Sequence, residues 1–403
     1  MSTRIGLGIV CLILVALPCH RAVAYTLEFH PGIYTSYEYT DNYYGDPRNE
    51  ESEGIYEVGP SLTVLLLSPT FRWDLTGYLA QSYHQDLEDE DSTEARLAST
   101  ATVGGQITSM SISYAYSQTR RRESLGETAG IRRTHSGSVS IEREMSQRTA
   151  LRLATDATKE INDRPTEDTD SWGGNAGLTW RATRRNTIDL TFRHDLHTYE
   201  IREDTQTTAS TAHWGYALSP RLTLGIVGDY VHVNRGDDPN EDIYDTSATM
   251  EYTPYQNIAL SLRGGYSWLV LENGERGRTY TMAGDLTGTT DRDTFTLSVS
   301  KGYRAEFTAD RYGTYDVRAA RLSWERRLLR TVSSSVSVAY EDSRPSFEGV
   351  EEDETDVVAG GSLAWSPVEY VDTRLSYEHL RHTYEISDTV MENRYRVIVE
   401  VRY

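Results

Sequence analysis

Apolar and polar residues alternate with a period of two along most of this chain, and that period belongs to strands. Between residues 257 and 270, Ile258, Leu260, Leu262, Tyr266, Trp268 and Val270 share one face, while Asn257, Ser261, Arg263 and Ser267 share the other. The pattern returns in Met110-Ile112-Tyr114-Tyr116, and in Ile188-Leu190-Phe192 with Asp189, Thr191 and Arg193 between them. It returns again in Phe295-Leu297-Val299, and in Leu375-Tyr377 flanked by Arg374 and Glu378. A helix would set Arg263 beside Tyr266 and Ser267 and mix the two faces.

The connections are of two kinds in alternation. Tight ones fall near Ser68-Pro69, Thr108-Ser109, Ser146-Gln147, Thr183-Arg184, Ser219-Pro220, Thr253-Pro254, Thr290-Asp291, Leu328-Leu329 and Ser366-Pro367, and most carry turn-forming residues. Longer, more polar ones centre near residues 47, 89, 126, 166, 204, 239, 274, 310, 349 and 388. Counting both kinds gives about 20 strands, with a range of 16 to 20. Short turns at one end and longer loops at the other are how transmembrane barrels are built. The expected fold is therefore all-β: a transmembrane antiparallel up-and-down β-barrel over residues 25–403, with no linker or second domain. Three residues resist. Pro31 and Pro60 fall inside expected strands, where a missing N–H breaks a ladder. Lys301 shares parity with Phe295, Leu297 and Val299, so it belongs at a rim or after a bulge.

Charge and aromatic content also separate the ends. Long connections include the acidic runs 86–91, 237–242 and 348–356, whereas the tight turns hold Arg148, Arg184, Arg185, Arg221, Arg326, Arg327 and Arg330. Arg120-Arg121-Arg122 breaks the trend. The 28 tyrosines and 7 tryptophans outnumber the 6 phenylalanines, as interfacial girdles require. Trp180, Trp324 and Trp365 each precede a tight turn.

The chain begins with a segment of another kind. Arg4 is followed by an almost unbroken apolar run from Ile5 to Pro18, and Ala22-Val23-Ala24 is a small-x-small cleavage site. Residues 1–24 read as a signal peptide, cut between Ala24 and Tyr25. Both cysteines, Cys11 and Cys19, lie in this leader. The mature chain can then form no disulfide or thiolate metal site. Mean hydropathy is −0.56, and no apolar run after residue 18 is long enough for a transmembrane helix. A net charge of −21 with no basic stripe argues against nucleic acid as a partner.

If the apolar parity faces lipid, the inward set includes Arg152, Asp156, Asp189, Arg193, Arg263, Arg321, Arg374, Glu378, Arg394 and Arg396. These are the candidate pore-lining residues. Guanidinium and carboxylate groups together make a polar, hydrogen-bonding wall that selects polar or anionic solutes, or a set of ion pairs that satisfy one another. Twenty strands are enough for an aqueous channel. The pairs His194/His197 and His379/His382 would chelate on a helix, but on a strand they face opposite ways. The acidic loops match no spaced calcium loop, and no Gly-x-Ser-x-Gly elbow is present. No cofactor, metal or catalytic residue is called, and an enzyme is not expected.

Tyr37-Glu38-Tyr39-Thr40-Asp41-Asn42, followed by Gly59-Pro60-Ser61-Leu62-Thr63, resembles the opening of a family of outer-membrane β-barrel porins that often accompany exopolysaccharide biosynthesis and export systems. The resemblance implies a Gram-negative outer-membrane location, lipid and lipopolysaccharide around the barrel, and polysaccharide-export components as candidate partners. It carries over no catalytic residue. The C-terminal run Tyr395, Val397, Val399, Val401, Tyr403 resembles the terminal signal read by the barrel assembly machinery. The expected function is a porin-like channel, for passive diffusion or as a conduit or accessory for exopolysaccharide. The competing readings are a structural or assembly barrel that docks a partner, and a rim-sited enzyme.

Overall fold

The computed structural model describes residues 25–121, 130–163, 168–201, 203–236, 238–307, 312–346, 353–384 and 389–403. The leader, with the cleavage site after Ala24, lies outside the described residues, as do parts of the acidic runs 237–242 and 348–356.

Twenty antiparallel strands form one sheet. They are β1 (Thr26–Thr40), β2 (Glu53–Leu67), β3 (Phe71–His84), β4 (Ser92–Gly104), β5 (Thr108–Arg121), β6 (Gly130–Ser146) and β7 (Thr149–Asn162). There follow β8 (Thr169–Trp180), β9 (Asn186–Tyr199), β10 (Thr205–Ser219), β11 (Leu222–Arg235), β12 (Asp238–Tyr255), β13 (Ile258–Leu271) and β14 (Arg276–Thr289). The last six are β15 (Asp293–Phe307), β16 (Tyr312–Leu329), β17 (Val332–Pro345), β18 (Glu354–Val368), β19 (Val371–Tyr384) and β20 (Val390–Arg402). Each strand pairs with its sequence neighbours, and β1 also pairs with β20, from Gly32↔Arg402 to Thr40↔Arg394. The sheet is thus a closed barrel without a free edge. Apart from a 3-10 turn at Glu88–Glu90, every described element is a strand of this barrel.

Several turns lie two or three residues later than their sequence signals. Pro254 and Pro367 are not in turns; they are the next-to-last residues of β12 and β18. Both sit in register shifts, between Tyr252 and Tyr255 and between Trp365 and Val368. A bulge leaves one residue out of the ladder, and proline has no N–H to lose there. The true turns are 256–257 and 369–370. From Asp238 on, the acidic run is not a loop either, because Asp238–Asp242 opens β12.

The resisting residues are accommodated locally. Pro31 precedes the β1–β20 ladder, and its carbonyl accepts the Tyr403 N–H at 2.7 Å. At Pro60 the β2–β3 ladder skips from Val58↔Gln81 to Ser61↔Tyr78. Lys301 forms the last β14–β15 pair, with Met282. Where those strands part, its ammonium turns in to Thr279 Oγ1 at 2.7 Å and Asp316 Oδ2 at 3.3 Å, over the Tyr280 ring at 4.0 Å.

Candidate functional site

Directly paired residues of antiparallel strands point to the same side of the sheet. Starting at Arg396, the pairing runs to Glu38, Ile55 and His84, and on through all twenty strands to Ser376, which pairs with Arg396 again. The circuit closes without changing face. One side carries Leu97, Phe192, Leu262, Trp324 and Val397, all large apolar groups left exposed. Such a band is what hydrocarbon requires of a barrel's exterior. The other side, the lumen wall, carries rows of small hydroxyls: Ser111, Ser113, Ser138 and Ser140 on β5 and β6, and Ser333, Ser335, Ser337 and Ser362 on β17 and β18.

Arg152, Asp156, Asp189, Arg193, Arg263, Arg321, Arg374, Glu378, Arg394 and Arg396 all fall on this inner face. The fold brings several of them together with partners the alternation did not single out. Arg193 reaches Asp195 at 2.6 Å and Asp156 at 3.4 Å. Arg263 spans Asp229 on β11 and Asp245 on β12 at 2.5 Å each. Arg396 reaches across β1 to Glu57 at 3.1 Å, with Glu38 at 3.7 Å. Arg394 holds Glu392 at 2.7 Å, and Arg152 holds Glu142 at 3.2 Å. Asp189 accepts a bond from Thr179 at 2.7 Å. Glu378 pairs across the ladder with Arg394. Arg321 and Arg374 are exposed and make no ion pair among the described residues. Arg193, Arg263 and Arg396 thus each reach over an intervening strand to a carboxylate, whereas Arg394 and Arg152 stay on their own or the adjoining strand. His194 and His197 lie on opposite faces, as do His379 and His382.

The two ends of the lumen differ. At the long-connection end, the inner-face residues Val233, Ile243, Leu269, Leu271, Tyr315 and Val317 are buried, with Leu269 at 0 % exposure. Thr314 at the top of β16 donates to Glu241 on β12, which also holds Arg235 at 2.6 Å. Strands that are not neighbours thus meet across the lumen and narrow it. On the seam side the same end is polar. Glu90 pairs with Arg120 at 2.6 Å, and Glu53 accepts the Gln85 and Asp86 N–H groups. Burial, together with the Glu90, Glu51 and Glu53 carboxylates, raises the Tyr44 phenol above its ordinary pKa. Leu269 and Leu271 share the face of Arg263 and Ser267, and alternation alone gives no sign that they would be buried there.

Neither a family model nor a curated protein matches the sequence. Solved structures do resemble the barrel. The siderophore receptor PirA from Pseudomonas aeruginosa aligns over 93 % of this chain and 80 % of its own, with TM-score 0.51 and 11 % identity. The siderophore receptor PirA from Acinetobacter baumannii aligns over 95 % and 81 %, with TM-score 0.50 and 8 % identity. The likeness is one of fold. The outer membrane protein opdK from Pseudomonas aeruginosa aligns over 93 % of this chain and 98 % of its own, at TM-score 0.45 and 10 % identity.

Proposed function

We propose that this chain is a porin-like channel of the Gram-negative outer membrane, passing small polar solutes by diffusion. The observation that carries the reading is the closed circuit of pairing, which gives one apolar outer face and one hydroxyl-rich, charged inner face around all twenty strands. Barrels of about 16 to 18 strands already leave an aqueous lumen, and selection then falls to the width and charge of the wall. The long-connection end would face outward, and its packed inner-face residues would form the narrow part of the path. Lipid and lipopolysaccharide would surround the barrel, and the terminal strand ending at Tyr403 would be the segment offered to the assembly machinery.

A conduit or accessory role in exopolysaccharide export is the finer reading, and the resemblance of residues 37–42 is its support. Those residues also have an architectural task. Asp41 accepts the Asn393 N–H at 2.7 Å, and Asn42 donates to the Met391 carbonyl at 3.0 Å, so the stretch ties β1 to β20. Single-channel recording in planar bilayers tests the channel itself. Stable conductance steps from the purified, folded barrel are the expected result. A folded barrel that inserts and never conducts overturns the proposal.

A further inference from the structure

One row of cross-strand pairs runs Arg402–Gly32–Ser61–Tyr78–Arg96–Ser117–Thr134–Glu160. Such rows lie perpendicular to the strands, and barrel strands tilt by about 35–45° from the axis. The row therefore climbs the inner wall, from the short-turn end at Arg402 to the long-connection end at Glu160. A cavity of about 980 Å³ follows it, lined on its two sides by Arg132 and Arg374 as well.

The charges along this groove are unequally committed. Arg402 takes both carboxylates of the lower groove, Glu400 at 2.9 Å and Asp372 at 3.1 Å. Arg132 is held by Glu160. Arg96 and Arg374 are exposed and make no ion pair or hydrogen bond among the described residues. Hydroxyls of Ser117, Thr134 and Ser136 stand along the same groove. The Tyr78 ring, stacked on Tyr34 at 4.3 Å and 10°, adds a flat apolar step. Arg321, also without an ion pair, differs in setting: Asp285, Glu341 and Asp356 line its cavity. Glu94, two residues along the same face of β4, acts on Arg96 only from beyond ion-pair distance, and a weakly hydrated guanidinium not closed in an ion pair is a ready partner for a planar anion.

We infer that this groove binds hydroxylated carboxylates of sugar-acid type, with Arg96 taking the carboxylate and the adjoining Ser117 and Thr134 taking the hydroxyls. The inference rests on the channel reading only in that the solute reaches the lumen. The test uses D-glucuronate, with D-glucose as the uncharged control, on the full barrel. Binding in detergent is followed by calorimetry, and block of ion current is followed in bilayers where the barrel conducts. Glucuronate should bind and glucose bind far more weakly. R96Q should weaken glucuronate binding about tenfold, as loss of a charge-assisted hydrogen bond does. R321Q, which removes the same charge elsewhere on the wall, should keep the parent's affinity. Heat-modifiable gel migration confirms that each variant has folded. Equal binding of the two sugars, or equal weakening by R321Q, overturns the groove assignment. A barrel that conducts but does not bind glucuronate loses the groove and keeps the channel. One that binds through Arg96 yet never conducts loses the channel and keeps the groove.

Discussion

At the scale of single residues, two adjacent glycines on β13 show how much one face differs from the other. A Cβ on Gly265, which faces the lumen, would drive into the Thr246 carbonyl and come within 2.6 Å of Ser247 Cα. A Cβ on Gly264, which faces outward, would meet nothing within 4 Å. The backbone of β12 thus approaches β13 closely only on the concave side, where the sheet curves in. G265A should lower stability by about 1–3 kcal/mol, the usual cost of overpacking, and G264A should be nearly neutral. Urea titration of the barrel refolded in lipid vesicles reads both. Lys301 teaches a related lesson. Its parity is that of a lipid-facing residue, yet it is only 9 % exposed. The ladder stops beside it, and the ammonium finds a hydroxyl and a carboxylate in the gap. Alternation located the anomaly, but the partners Thr279 and Asp316 come from other strands and were not legible locally.

At the scale of the strand, period two determined which residues share a face, because a one-residue slip would reverse every side chain. That rule assigned the ten inner-face candidates without any knowledge of pairing. The rule also predicts opposite outcomes for neighbours. L262R places a charge on the outer band and should cost about 2–4 kcal/mol near the bilayer midplane. S261R points into the lumen and should be tolerated. Equal costs for the two in vesicle-based unfolding would mean that the outer face does not meet hydrocarbon. Strand ends were less legible. Pro254 and Pro367 are turn formers by type, and only the bulges beside them explain why their strands run on toward the turn. In the same way, acidic composition made residues 237–242 read as loop, although strand pairing with β11 recruits Glu241, Asp242 and Asp238.

At the scale of the whole molecule, closure is the decisive feature. The seam between β1 and β20 is held by backbone pairing, by Arg396 reaching Glu57, and by Thr40 donating to Glu392 at 2.7 Å. Ser36 and Ile398 face each other across it on the lumen side. The hydrogen bonds from Asp41 to Asn393 and from Tyr403 to Pro31 set the alternation, which makes Ser36/Ile398 a close, non-hydrogen-bonded pair. Residues from 25 onward contain no cysteine. S36C/I398C should therefore oxidise to a single disulfide in the folded protein and speed migration of the denatured, unreduced chain. Unchanged mobility after oxidation would mean that the seam is open, and the lumen with it.

The sequence by itself determined the element type, the approximate strand number, the alternation of short and long connections, and the face on which each side chain sits. These are consequences of local periodicity and turn chemistry, which neighbouring residues settle among themselves. Tertiary structure alone decided that the sheet joins β1 to β20. It alone decided which arginines are neutralised across intervening strands, and that Arg96 and Arg374 are left facing an open groove. It also packed Val233, Leu269 and Tyr315 inside one end of the lumen. Each of these depends on distances between residues far apart in the chain, and the curvature and tilt of a closed sheet set those distances.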